Sequence, residues 1–532
     1  MDAGKIARDD SVESADNRQL SAVLLREITE CKKFYFNLNI LLALCLILVH
    51  IEYRGNMKKQ GFNPFLPSWE YIPDGEPHVF DGRVYVYGSH DKFDGYVYCM
   101  NDYVCWSADE DDLSEWRYEG VIYKKTDDPN NKDGSMNLYA PDVTRGSDGK
   151  YYLYYVLDKM DIVSVAVCGT PAGKYEFLGF VRYPNGTMLG RQEGDVPQFD
   201  PGVLSEGDKT YLYSGQCSGK VKTVERYRNA SIAVALSSDM LTISEGPFPI
   251  IPGANYSRGT GFEGHEFFEA SSIRKKGDTY YFVYSSFAMN ELCYATSKDP
   301  LKGFTYGGVI VSNADLHIDS YKPAEKPMYC GNNNHGSIVE VKGKWYVFYH
   351  RHTNGNEFSR QACLEPIEFE NDGSIRQVMM TSCGSNGGPL AGRGEYPAYI
   401  ACNIFSMEEN LIPAKPYWPC RTPDMPFITQ DGRDGDEETG FITNIMDNRG
   451  VGFKFFDCKG VTSVKVKIRA YCRGYFEVKT SWDGEPLGRI DIVSSNIWKE
   501  FSSNIKIPDG INALYFLYRG TGNVTLGSFT LE

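Results

Sequence analysis

The sequence predicts an all-β protein, a five-bladed β-propeller followed by a jelly-roll-like β-sandwich domain. Five stretches resemble one another at intervals of roughly 65 residues, and a repeat of this length is typical of propeller blades. Each stretch can be aligned on one tyrosine: Tyr85, Tyr152, Tyr211, Tyr281 and Tyr346. The 532 residues include 37 tyrosines and 53 glycines, which suits aromatic strands joined by glycine turns.

Every repeat has a short turn between two apolar runs, which indicates a β-hairpin. The turns are Asp81-Gly82, Asp148-Gly149, Gly207-Asp208, Gly277-Asp278 and Lys342-Gly343. The first four repeats continue with a second strand–turn–strand pattern, as in SIAVALSSDMLTISEGPFPII. Four strands per repeat predict a five-bladed propeller over residues 57–385.

Residues 1–56 form a polar N-terminal segment that contains an uncharged apolar stretch at 34–51. Its length is at the short end for a membrane span, so a single-pass membrane anchor is one interpretation. The other is that translation starts at Met57, which would make the protein cytoplasmic. The 14 cysteines contain no CxxC pair and many fall in predicted strands, so we expect reduced thiols and a reducing compartment.

Two further regions follow the predicted propeller. Residues 386–430 are rich in glycine, proline and cysteine and are predicted to be a linker that packs on the propeller. Residues 431–532 contain short alternating strands, which predict the β-sandwich. The net charge of −15 argues against nucleic acid as a partner and suits a neutral substrate such as a sugar.

One ionisable residue lies ten to twelve positions before each aligned tyrosine. These residues are Asp74, Asp142, Asp200, Glu269 and His335. The first strand of every propeller blade lines the central axis, so we expect these side chains to surround one mouth of the channel. The second strands return to the same face, which makes His90, Asp91 and Arg351 candidate substrate contacts.

Two carboxyl groups that face one pocket can hydrolyse a glycosidic bond, one as acid and one as base. Glu269 follows two phenylalanines that would raise its pKa, so it is the candidate general acid. Asp74 is the candidate general base, with Glu76 as a rival that the spacing disfavours. Asp142 is expected to orient the acid and raise its pKa, whereas Asp200, in FDPG, is expected only to turn the chain.

The motifs IPDGEP, YAPDV, FFEASSIRK and NNHGSIVE resemble those of family 43 glycoside hydrolases over residues 62–385. The resemblance implies an inverting glycoside hydrolase acting on arabinose- or xylose-containing glycans, as an α-L-arabinofuranosidase or β-xylosidase. It also implies that Tyr139 stacks on the sugar. Inversion predicts carboxyl groups about 6.5–9.5 Å apart. The first motif departs from the usual Ala-Asp-Pro of the family, because Pro73 precedes Asp74 and Gly75 follows it.

The resemblance leaves other functions and ligands open. An exo-galactosidase of the same family is one alternative, and a non-catalytic carbohydrate-binding propeller is another, although the three acids argue against the latter. No cofactor is expected to be required. A structural calcium ion, or water, beside His335 is implied by the family, and substrate contact is the other role expected of this residue. Residues 431–532 resemble a family 6 carbohydrate-binding module, with Trp482, Trp498 or Tyr475 as candidate sugar contacts.

Overall fold

The computed structural model describes Arg26 and residues 59–217, 230–318, 322–408 and 424–532. The apolar stretch at 34–51 lies outside these residues. Within the described ranges, no helix is long and apolar enough to cross a membrane. The described residues from Gln60 to the C-terminus belong to one compact unit.

Five antiparallel sheets form the propeller, which confirms the predicted all-β class and blade number. Blade 1 contains β1 (Glu76–Phe80), β2 (Arg83–Tyr87), β3 (Tyr103–Asp109) and β4 (Asp112–Tyr123). Blade 2 contains β5 (Asp142–Arg145), β6 (Tyr151–Tyr155), β7 (Ser164–Cys168) and β8 (Glu176–Phe180). Blade 3 contains β9 (Gly202–Glu206), β10 (Lys209–Ser214), β11 (Ala230–Leu236) and β12 (Ile243–Pro252). Blade 4 contains β13 (Phe267–Lys276), β14 (Thr279–Ser286), β15 (Glu291–Ser297) and β16 (Thr305–Ser312). Blade 5 contains β17 (Ser337–Val341), β18 (Lys344–His352) and β19 (Arg360–Ile367).

The predicted hairpin turns join the first two strands of every blade. In blade 1, Phe80 pairs with Arg83 across Asp81 and Gly82, whose φ angles are 50° and 81°. Two successive residues with positive φ are the signature of the type I′ turn, whose twist matches that of the strands. Apolar side chains from neighbouring blades then pack together, as Tyr154 and Val165 of blade 2 do with Leu212 and Val234 of blade 3.

The chain before β1 closes the ring between blades 1 and 5. The Phe65 amide donates to the Ala362 carbonyl at 3.2 Å, and the Asn63 side chain bonds both backbone groups of Leu364 at 2.9 Å. Phe65 also packs in one buried cluster with Val84 of β2 and Phe348 of β18. The ring is therefore sealed by residues that precede the first blade.

The C-terminal region, predicted as a sandwich, is a separate curled β-sheet of nine strands. Its strands are β20 (Leu390–Ala391), β21 (Gly394–Pro397), β22 (Asn403–Ser406), β23 (Phe427–Thr429), β24 (Phe441–Ile445), β25 (Arg449–Cys458), β26 (Val464–Lys479), β27 (Gly488–Ser503) and β28 (Gly510–Leu531). Single 3-10 turns span Lys125–Asp127, Gly384–Asn386 and Ala398–Ile400. Four strands, β20 to β23, come from the segment predicted as a linker, which thus contributes to the sheet.

Buried polar contacts join the sheet to the propeller. The Arg351 guanidinium on β18 donates to the carbonyls of Ala401, at 2.8 Å, and Tyr399, at 2.5 Å. Lys454 on β25 forms a buried ion pair with Asp315 at 2.8 Å. Both contacts are almost inaccessible to solvent, so the two regions share one interior.

The cysteines depart at one place from the expectation of reduced thiols. Ten described cysteines are free, most of them buried. Cys330, by contrast, is disulfide-bonded.

Candidate active site

A cavity of about 560 Å³ opens at the mouth of the propeller. Its carboxyl groups belong to Asp74, Asp158, Asp161, Asp200, Glu269 and Glu357. Its aromatic side chains belong to Tyr98, Tyr139, Phe199 and Phe268. Aromatic faces beside carboxyl groups are suited to bind the apolar faces and hydroxyls of a sugar ring.

Asp74 lies just before β1, where cationic and imidazole groups surround its carboxylate. Arg360 donates to Asp74 Oδ1 at 2.8 Å, and His350 Nδ1 lies 3.3 Å from the same oxygen. Burial alone would raise the pKa of Asp74, but the Arg360 charge and the His350 hydrogen bond hold it well below the usual range. Asp74 therefore stays ionised at neutral pH, as a general base requires.

Glu269 has the opposite electrostatic environment on β13. Its Oε2 accepts a hydrogen bond from the Gln216 amide at 2.9 Å. Burial raises the pKa of Glu269 to about 7; the Gln216 bond opposes this shift and the negative charge of Asp74 adds to it. The carboxyl group is therefore protonated in a substantial fraction of molecules near neutral pH, as a general acid requires.

Asp200, predicted only to turn the chain, also lines the cavity. Its φ of 43° does bend the backbone, and its Oδ2 accepts from the Ala270 amide, next to Glu269, at 3.2 Å. Burial, followed by the charges of Glu269 and Asp74, raises the pKa of Asp200 well above its usual range. Repulsion between the two carboxylates therefore disfavours the state in which Asp200 and Glu269 are both ionised.

Asp142 is not among the described residues that line the cavity. Its carboxylate lies 2.6 Å from His78 Nε2 and accepts the Val203 amide at 2.8 Å. The cause is the strand register. In blades 1, 3 and 5 the aligned tyrosine pairs with the residue four positions after the ionisable one. In blade 2, Tyr152 pairs with Thr144, only two positions after Asp142, so this side chain lies deeper along the axis.

Ala140 is the blade 2 residue at the level of Asp74, and it does line the cavity. Glu76, the rival base, lies at the deeper level with Asp142 and is fully buried. It pairs with Arg274 at 2.7 Å, and burial raises the pKa of Glu76 to about 7, with the charge of Asp142 adding to the shift. Glu76 is therefore both remote from the cavity and poorly suited to act as a base.

The predicted substrate contacts separate into two groups. Tyr139 and His335 line the cavity, whereas His90, Asp91 and Arg351 are not among its described lining residues. His90 is held by Glu70 and the Asp102 carbonyl, and Arg351 joins the propeller to the C-terminal sheet. Asp91 acts indirectly, because it binds two guanidinium nitrogens of Arg360, at 2.8 and 3.0 Å.

Arg360 is the main cavity residue that the sequence reasoning missed. It lies at the start of β19 and joins Asp91 to Asp74, and Tyr98 stacks on its guanidinium at 4.9 Å. No repeated motif marks the third strand of a blade, so only its partners in space reveal its role. Gln216, two residues after β10, was also missed, although it lies five positions after its aligned tyrosine, as His90 and Arg351 do in their blades.

Several cavity residues have positive φ although they are not glycine. They are Asp74, Cys99, Lys159, Asp161, Asp200, Met289 and Asn333. Such backbone conformations are sparsely populated and concentrate at functional sites, where the surrounding structure maintains them. The cavity therefore combines strained backbone with perturbed carboxyl groups.

The residues around His335 do not form a calcium cage. Calcium takes six to eight oxygen ligands. His335 Nδ1 instead faces Asp200 at 3.5 Å and Asp74 at 3.8 Å, and burial lowers the pKa of His335 to about 4. Glu76, His78 and Asp142 form a cluster of potential ligands deeper in the channel, but the Arg274 guanidinium already neutralises it.

The three candidate sugar contacts of the C-terminal sheet have different surroundings. Trp498 lines a cavity of about 460 Å³, and the Arg469 guanidinium lies 4.8 Å from its ring. Trp482 packs near Phe405 and Tyr515 and carries Lys326 over its face. Tyr475 is covered by Arg489. Sugar binding by this region stays a prediction.

The sequence profile described as Glycosyl hydrolases family 43 matches residues 70–375, which contain the cavity carboxyl groups. The chain belongs to this family. A xylosidase/arabinosidase from Thermoclostridium stercorarium is 68% identical over 89% of this chain and 99% of its own length. An arabinoxylan arabinofuranohydrolase from Paenibacillus polymyxa is 25% identical over 86% of this chain and 72% of its own length.

Solved structures of the same family are also similar to this member. A β-xylosidase/α-arabinofuranosidase from a compost microbial metagenome, solved with xylotriose in a calcium-free form, is 28% identical. The match covers 60% of this chain and 98% of that one, with a TM-score of 0.47.

Proposed function

We propose that this glycoside hydrolase releases xylose or arabinofuranose from plant glycans by inversion, with Asp74 as base and Glu269 as acid. The observation that carries the proposal is the divergence of the two pKa values within one cavity. The pKa of Asp74 is held low by Arg360, and burial raises that of Glu269 to about 7. A pair of carboxyl groups with separated pKa values is the arrangement that acid/base glycoside hydrolysis needs.

In the proposed reaction, protonated Glu269 gives its proton to the glycosidic oxygen as the bond from that oxygen to the anomeric carbon breaks. A water molecule attacks the opposite face of the sugar, and Asp74 accepts one of its protons. Arg360 positions Asp74, and Asp200 takes the place predicted for Asp142 as the carboxyl group that competes with Glu269 for a proton. Tyr139 and Phe268 offer faces on which the sugar ring packs.

The substrate class rests on the relatives. The protein from Thermoclostridium stercorarium is named a xylosidase/arabinosidase, and its high identity extends over almost its whole length. Aryl β-xylosides and aryl α-L-arabinofuranosides are therefore the first substrates to assay, with aryl galactosides as the comparison. Turnover of galactosides alone would replace the proposed substrate class, and no turnover of any aryl or natural glycan would favour the non-catalytic alternative.

Glu269→Gln tests the acid role. The variant keeps the side-chain shape but has no proton to donate, so we expect kcat on xylo-oligosaccharides to fall by about 10²–10⁴-fold. Aryl glycosides with a good leaving group need less protonation and should lose much less. Glu266→Gln, three residues earlier and bonded to Ser257, is the matched control and should keep its activity. Equal losses on both kinds of substrate would contradict the assignment.

A further inference from the structure

A second cluster of potential metal ligands lies on blade 4. His265 precedes β13, Glu291 and Cys293 are on β15, and His317 follows β16. His265 Nδ1 lies 2.9 Å from Glu291 Oε2, which lies 3.5 Å from Cys293 Sγ. The sulfur is 4.0 Å from His265 Nδ1, and His317 Nε2 is 3.1 Å from Glu291 Oε1. Three donor groups of different chemistry, from His265, Glu291 and Cys293, thus lie close together, and His317 contacts the other oxygen of Glu291.

The separations of these donors fit a tetrahedral metal ion. Zinc bonds of about 2.0–2.1 Å to nitrogen and oxygen and about 2.3 Å to sulfur place neighbouring donors roughly 3.3–3.6 Å apart. Among His265, Glu291 and Cys293, the separation of 3.5 Å lies within that range, and those of 2.9 and 4.0 Å lie below and above it. Small rotations of the side chains would bring all three to a common centre.

Surrounding groups hold the ligands in place. Ser286 donates to Glu291 Oε2 at 2.8 Å, and the His265 ring stacks on Tyr306 with 4.7 Å between centroids. Tyr284 donates to the His265 carbonyl at 2.7 Å. In metal sites, hydrogen bonds and packing of this kind orient the side chains that bond the metal ion directly. Glu291 and Cys293 are buried, whereas both histidines reach solvent, which leaves a route for the ion.

We propose that His265, Glu291 and Cys293 bind one zinc ion, with water as the fourth ligand, and that His317 orients the Glu291 carboxylate through its other oxygen. One thiolate, one imidazole and one carboxylate suit zinc and not calcium or magnesium, which prefer oxygen ligands. None of these three residues is among the described residues that line the active-site cavity, so we assign the ion a structural role. It ties the chain before β13 to the start of β15, beside Met289, which lines the active-site cavity.

The test uses the full-length protein, stripped with a chelator and titrated with cobalt chloride. Tetrahedral cobalt bound to a thiolate gives an intense visible spectrum and a sulfur-to-metal charge-transfer band in the near ultraviolet. We expect both at one equivalent in the wild type and in Cys105→Ser, the matched control. Cys105 is a free, buried cysteine at the third position of the third strand of blade 1, as Cys293 is in blade 4.

Cys293→Ser should lose the charge-transfer band and bind zinc at least about 100-fold more weakly. Removing a direct ligand should weaken zinc binding more than removing a group that only supports a ligand. The proposal is overturned if the wild type gives no stoichiometric cobalt spectrum, or if the band survives in Cys293→Ser. X-ray absorption of the zinc-loaded wild type gives a test that needs no variant. A sulfur neighbour at about 2.3 Å is expected, and its absence would overturn the proposal.

Discussion

At the scale of single residues, the surroundings of each carboxyl group matter more than its place in a repeat. Asp74 and Glu269 occupy similar positions in two blades, yet Arg360 lies against the first and Gln216 against the second. A cationic partner favours the ionised form, whereas burial with a neutral partner favours the protonated form. The sequence predicted both residues, but their pKa values depend on partners that are distant in the chain.

The pH profile distinguishes Asp200 from Asp142 as the partner of the acid. Activity needs protonated Glu269, so kcat/KM should fall as pH rises through about 7. Asp200→Asn removes the carboxyl group that competes with Glu269 for a proton. Repulsion between two carboxylates then no longer holds a proton on the pair, so we expect the basic limb of this profile to move to lower pH. Asp142→Asn should lower stability, through its bonds to His78 and Val203, but leave the limb unchanged.

The opposite pattern, in which only Asp142→Asn moves the limb, would restore the role that the sequence predicted for Asp142. Comparison of the two asparagine variants on one aryl glycoside controls for the general cost of replacing a buried carboxylate. Thermal unfolding of both variants separates a loss of stability from a shift of the active-site pKa.

At the scale of strands, the hairpins were predicted correctly from the sequence. The positions of their residues along the propeller axis were not. Turn pairs such as Asp81-Gly82 are local signals, so the amino-acid sequence alone identifies them. The depth of a residue along the axis depends on which residues pair, and the longer turn of blade 2 shifts Asp142 inward. A β-bulge in β13 has a related effect, because it absorbs the extra residue between Glu269 and Tyr281.

The bulge gives a prediction at Ala270, which is buried with a φ of 70°. A β-branched residue is strongly disfavoured in this conformation, so Ala270→Val should shift the neighbouring Glu269 and lower kcat at least about tenfold. Ala270→Gly should keep its activity, because glycine adopts positive φ readily. Ala295→Val, at a buried alanine of β15, controls for added volume alone. Equal losses in both valine variants would contradict this account.

At the scale of the whole molecule, buried charged side chains connect the C-terminal sheet to the propeller. Arg351 was predicted from its place at the end of a second strand, next to His350. Its contacts with Tyr399 and Ala401 belong to a segment that the sequence suggested was a linker. Arg351 stabilises the junction because two segments distant in the sequence pack together. The composition of the chain does not predict this contact.

The Lys454–Asp315 pair tests how the junction is stabilised. Lys454→Met leaves a buried carboxylate without this cation, so we expect a loss of about 3–5 kcal/mol in stability. The double variant Lys454→Met/Asp315→Asn removes both charges and should recover much of that loss. Thermal or denaturant unfolding measures both effects. A double variant as unstable as the sum of the two single variants would show that the charges do not interact.

Inverting hydrolysis at the Asp74 and Glu269 pair is the central claim, and proton NMR of the first product tests it most directly. Hydrolysis of an aryl β-xyloside is followed in deuterated buffer before the released sugar mutarotates. The account predicts that α-xylose appears first, because water attacks the face opposite the leaving group. Initial release of β-xylose would require a retaining mechanism and would contradict the roles given to both carboxyl groups.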